Sequence, residues 1–186
     1  MISLHRLRAG FERLLETIVI LLVAALTIIV IMGVLFRYTG RSLVWYDEVA
    51  SIGLVWLTYY GSALAALKGA HIGVPGFVNA MPPRLRVAVT LFGEAIVLLF
   101  FATLAMTGLE VLKILGNDGL VSMPNVPLRL TESAIPIGAV LFIIAELLRL
   151  PVVLRDARRG GFVDSELQEA LEHAKEAGIV TRGDRR

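Results

Sequence analysis

The run TIVILLVAALTIIVIMGVLF, from Thr17 to Phe36, decides the fold. It places 20 uncharged residues between Glu16 and Arg37, and 17 of them are Ala, Val, Ile, Leu, Met or Phe. As a helix rising about 1.5 Å per residue it covers roughly 30 Å, the thickness of a bilayer's hydrocarbon core. A cleaved signal peptide is the competing reading, since Arg6, Arg8 and Arg13 precede the run. The stretch is too long for that, and no A-x-A-like cleavage site follows between Gly33 and Ser42, so the segment is expected to stay attached as a first span.

Three further stretches follow the same logic. Val49 to Leu67 is a second uncharged run, bounded by Asp47/Glu48 and Lys68. Val87 to Leu109 is interrupted only by Glu94, and Ser133 to Leu150 carries Glu146 and Arg149 near its far end. The expected fold is therefore all-α and integral to the membrane, with four transmembrane helices over about 17–36, 49–67, 87–109 and 133–150. The membrane domain covers 17–154, preceded by an N-terminal segment over 1–16 and followed by a cytoplasmic linker, short helix and tail over 155–186. Composition agrees: the 186 residues are 56% hydrophobic and 18% charged, with a mean hydropathy of +0.76, outside the range of ordinary soluble domains.

Counting Lys and Arg near the membrane gives the orientation. Ten lie on the side holding both termini (Arg6, Arg8, Arg13, Lys68, Arg84, Arg86, Arg149, Arg155, Arg158, Arg159), against Arg37, Arg41, Lys113 and Arg129 on the other. The positive-inside rule then predicts cytoplasmic termini, with Tyr38, Trp45 and Tyr46 at the outer interface.

Outside the spans, Leu4, Leu7, Phe11, Leu14 and Leu15 recur at helical spacing among charges. This predicts a short amphipathic helix on the inner surface that turns into span one, with a plain extension of span one as the alternative. Asp164 to Ala177 reads as a second, weakly amphipathic helix, with Ser165 and Gln168 spaced for a capping box. The loops at Lys68–Arg86 and Gly116–Pro127 are broken by Gly and Pro.

Several function classes drop out. A net charge of +2, from 18 basic and 16 acidic residues, gives no polybasic surface for nucleic acid. With 0 Cys there is no disulfide, thiolate nucleophile or iron–sulfur ligand. His5, His71 and His173 all lie outside the apolar spans, a poor basis for the facing ligand pair of a haem-binding redox anchor. No nucleophile–base motif suggests an enzyme, and neither a metal nor a cofactor is expected. Glu94 is the one carboxyl set well inside a span. A proton relay would need a second deep ionisable group, so a structural hydrogen bond, within the chain or to another subunit, is expected. Glu146/Arg149 and Glu110/Lys113 are each spaced three apart and read as snorkelling pairs near the interfaces. Asp47 and Glu48 complement the positive end of helix two, which explains one of them. Gly61/Ala65 and Ser62/Ala66 permit a close helix contact. Trp56 lies roughly 12 Å from the outer end of its helix, so its indole N–H should seek a protein partner, with plain packing inside a four-helix bundle as the equal alternative.

The ordered set Val34-Leu35-Phe36-Arg37-Tyr38, Trp45-Tyr46-Asp47-Glu48, Trp56, Gly61, His71-Ile72-Gly73-Val74 and Pro136-Ile137-Gly138 resembles the small membrane subunit of tripartite ATP-independent periplasmic (TRAP) transporters, the DctQ-like family, over roughly residues 10 to 150. The resemblance implies a bacterial inner-membrane scaffold that binds a much larger membrane subunit and helps dock a periplasmic substrate-binding protein. In that family the large subunit holds the substrate and sodium sites. Typical substrates are organic acids such as C4-dicarboxylates, sialic acids or keto acids. Carried across, Arg37, Glu48, Trp56, Gly61 and His71 become candidates for structure or assembly rather than catalysis, alongside Glu94. The rivals are a redox-complex anchor and a self-associating tetraspan channel or scaffold.

Overall fold

A computed structural model describes residues 2–69, 78–116 and 118–159. Five helices account for most of them: α1 (Ile2–Tyr38), α2 (Tyr46–Lys68), α3 (Pro83–Ile114), the short α4 (Leu128–Glu132) and α5 (Ala134–Arg159). Four stretches of helix are long and apolar enough to cross a membrane, the last running through α4 into α5. Among the described residues there is no strand, only an isolated antiparallel bridge between Gly119 and Pro127. His71, the rest of the inner loop over 70–77 and the helix expected over 164–177 lie outside the described residues.

The expected turn between an interfacial helix and span one is not found: α1 runs unbroken for 37 residues. The reason is local. Glu12, Arg13, Leu14, Leu15 and Glu16 are good helix formers with no Pro or Gly among them, so nothing stops propagation into the apolar run. Part of the N-terminal apolar stripe serves the interior rather than a lipid surface, since Leu15 is fully buried and Phe11 packs beside it.

Among the described residues the helices do not close into a bundle. α1 packs on α2, α2 on α5, and α5 on α3, giving a row in the order α1-α2-α5-α3. Glycines set the spacing at two of these contacts. A β-carbon on Gly33 would overlap the Tyr46 ring, and one on Gly138 would overlap Tyr59. Only a residue without a side chain lets the helix backbone pack directly on these tyrosines. Phe101 of α3 stacks on Phe142 of α5 with centroids 3.6 Å apart, fixing the antiparallel register of that pair. The core proper, formed by Leu15, Ala63, Ala66, Leu67, Phe142 and Ala145, lies toward the end where α1 begins, called proximal below. Outside it, much of the apolar surface is bare, including Ile28, Ile31 and Leu35 on α1 and Phe92, Leu99 and Phe100 on α3.

Candidate functional site

Two polar stations stand at opposite ends of this apolar row. At the distal end Glu48, in the first turn of α2, reaches the loop that follows α3. Its carboxylate accepts from the Val121 N–H (3.1 Å), the Ser122 N–H (2.9 Å) and the Ser122 hydroxyl. The loop closes locally as well: the Leu128 N–H donates to the Asp118 carbonyl (2.8 Å) and the Leu120 N–H to Val126 (3.0 Å). Three donors on one carboxylate make a charge-assisted clamp. The clamp leaves Val121 94% exposed at the loop's tip. The helix dipole explains one acidic residue at the start of α2, and the clamp explains the other. Ser122 is a partner that the sequence reading missed.

At the proximal end the polar groups gather around the end of α2. Arg8 donates to the Leu67 carbonyl (3.0 Å), one of the acceptors a helix terminus leaves over. Lys68 pairs with Glu16 and lies 4.0 Å from Glu12. Gly69, with φ +79°, ends the helix in the left-handed region. The Arg149 guanidinium lies where a β-carbon on Gly69 would sit, the nearest atom 2.8 Å away, so glycine is required there twice over. Arg149 in turn approaches Glu146 at 3.9 Å.

This last pair differs from its expectation. Glu146 is not snorkelling at an interface: it is only 4% exposed, enclosed beside the core residues Phe142 and Ala145. Glu110 and Lys113 differ too, since among the described residues the ion pairs within 4.0 Å are those of Lys68 and of Glu146 with Arg149. Both side chains, near the end of α3, are exposed, where an isolated pair gains little. Arg86, counted above as a topogenic charge, is buried and donates to the carbonyls of Asn79 (2.9 Å) and Met81 (3.1 Å), holding the turn that leads into α3.

The remaining candidates sort by position. Glu94 is half-buried. From the Phe101/Phe142 stack, Glu94 and Arg149 are each seven residues toward the proximal end, roughly 10 Å along their helices. Glu94 is therefore roughly level with the end of α2. Trp56 is half-buried and stacks on Tyr60 at 5.7 Å, a contact one helical turn along. Gly61 meets nothing within 4 Å of an added β-carbon, whereas Ala66 is buried in the core, so the two small pairs on α2 face different surroundings. Arg37 is exposed in the last turn of α1. The structure thus joins Glu48 to the distal loop and sets Glu94, Glu146 and Arg149 at one level, but leaves Arg37, Trp56 and Gly61 apart from both stations. Among the described residues no group of three His, Cys, Asp or Glu is placed to hold a metal ion.

Comparison with known proteins points the same way. Residues 26–156 match the family described as tripartite ATP-independent periplasmic transporters, DctQ component. A Haemophilus influenzae protein named as a TRAP transporter small permease is 31% identical over 88 residues, covering 46% of this chain and 48% of that protein. The chain thus aligns with about half the length of that relative.

Proposed function

The chain belongs to the DctQ family of TRAP transporter components, and from that premise we propose that it is the scaffold subunit of a secondary transporter, pairing with a large transport subunit and helping to dock a periplasmic binding protein. The proposed cargo is an organic acid, of the C4-dicarboxylate, sialic acid or keto acid type, taken up with sodium. Both termini are assigned to the cytoplasm, in the bacterial inner membrane.

One observation carries this reading: the helices stand in an open row, not a closed bundle. A row has two broad sides and two free edges. Apolar side chains on α1 and α3 cover much of these, in excess of what the chain's own core uses. Such a shape suits a wall laid against a larger body. On the proposed orientation the clamped loop over 118–128 is the part presented to the periplasm. Glu48 then orders a docking surface, while Trp56 and Gly61 lie on the helix between that loop and the core.

The test is reconstitution. Vesicles holding this chain, a neighbouring large membrane subunit and the cognate binding protein should accumulate solute down a sodium gradient, and vesicles holding this chain alone should not. Accumulation by this chain alone would overturn the proposal, as would isolation of the large subunit fully active without it. Orientation is readable separately because the chain has 0 Cys. A single Val121→Cys should react with an impermeant maleimide added to intact spheroplasts, and a single Arg158→Cys only after lysis.

A further inference from the structure

Beyond the two stations, α5 carries a second polar feature, on the side turned away from the row. A recess of about 360 Å³ is lined, among the described residues, by Pro151, Leu154, Arg155 and Arg158. Their spacing of three, one and three puts them on a single stripe of the helix. Val153 and Ala157, on the opposite side, are buried. Arg155 and Arg158 are both exposed, and neither guanidinium forms an ion pair or hydrogen bond with a described residue. Arg155 is six residues past Arg149, roughly 9 Å farther along the helix than the level at which α2 ends. The recess therefore lies where a bilayer's hydrocarbon gives way to headgroups. Pro151 forms one wall, and having no N–H it removes the donor that the Leu147 carbonyl would otherwise accept from.

We propose that this recess binds the headgroup of an anionic phospholipid, its phosphate held by Arg155 and Arg158 and its glycerol and upper acyl carbons resting on Pro151 and Leu154. Two guanidiniums one turn apart offer planar donor forks matched to phosphate oxygens. The apolar floor distinguishes a lipid from a free anion. A headgroup hydroxyl, as in phosphatidylglycerol, can also donate to the Leu147 carbonyl. The proposal is independent of the transport reading, since it needs only a chain that crosses the membrane.

The experiment titrates the detergent-purified full-length chain with phosphatidylglycerol, and in parallel with phosphatidylcholine, counting bound lipids by native mass spectrometry. Phosphatidylglycerol should be retained in preference to phosphatidylcholine. The double variant R155Q/R158Q should weaken its retention at least tenfold, on the basis of about five-fold per basic residue at a membrane surface. A control of equal charge, R41Q/R129Q at the distal end, should leave retention within two-fold, and R155K/R158K, which keeps the charges but not the planar forks, should fall between the unaltered chain and R155Q/R158Q. Equal retention of the two lipids by the unaltered chain would overturn the proposal. So would undiminished retention in R155Q/R158Q, or displacement of phosphatidylglycerol by the same concentration of inorganic phosphate. The lipid preference and the phosphate competition are read on the unaltered protein, so a poorly folding variant does not disable the test.

Discussion

The proximal and distal halves of this protein are held together by different means. Proximally the helices share a core of Leu15, Ala63, Ala66, Leu67, Phe142 and Ala145, with charged groups drawn over the end of α2. Distally the buried side chains, Leu26, Ala105, Leu120, Ala134 and Ala139, lie outside that cluster. Adjacent helices touch backbone to ring through Gly33 and Gly138, and one carboxylate ties down the loop between α3 and α4. The proximal half is consolidated by burial and would lose stability gradually as atoms are removed. The distal half depends on a few contacts that tolerate no added atoms and no lost acceptor.

The sharpest way to break that contrast is to add bulk distally. Gly138→Leu forces a side chain into Tyr59 and should cost about 3 kcal/mol, the upper part of the usual overpacking range; thermal unfolding followed by circular dichroism in detergent would show it. If Gly138→Leu melts like the unaltered chain, the α2–α5 approach is looser than described. Next in size, Glu48→Ala takes the shared acceptor from two backbone N–H groups and a hydroxyl, and should loosen the loop rather than the whole fold. Hydrogen exchange should speed up at Val121 and Ser122 while the proximal amides keep their protection. Exchange that rises equally at both ends would mean the halves are not separate.

The proximal changes should be milder. Arg149→Leu strands the buried Glu146 carboxylate, and because Arg149 keeps part of its surface in solvent the loss should be about 1–2 kcal/mol, below that of a wholly buried pair. Joint replacement, E146L/R149L, should recover most of it, and a double-mutant cycle measures the coupling. Smallest of all, Lys68→Met removes a pair whose members are each more than a third exposed, and should shift stability by less than about 0.5 kcal/mol. A larger loss at Lys68 than at Glu48 would invert the comparison.

How much of this was legible beforehand follows from the reach of each signal. The spans were, because a charge-free run of Thr17–Phe36 has few other physical solutions. The row was not: the 17–36 stretch of α1 and most of α3 are apolar nearly all the way round, so no stripe tells which neighbour each will take. Glu48 stood out as a carboxylate at a helix start, but Ser122 lies 74 residues away and nothing local announces it. The three-residue spacing of Glu146 and Arg149 was visible, yet burial depends on Phe142 and Ala145 meeting α2, a long-range fact. Gly33 could have been found. A lone glycine in a run of large apolar residues lowers helix propensity, and in lipid that cost is usually offset by a close neighbour.

The order of the row also bears on how the chain is made. Synthesis delivers α3 before α5, the helix that joins it to α1 and α2. A nascent chain halted at Ser133 would hold a hairpin and a stray rod drifting beside it in the bilayer. The final helix works as a keystone, and a truncation that removes it should leave fragments for membrane proteases rather than a shortened subunit.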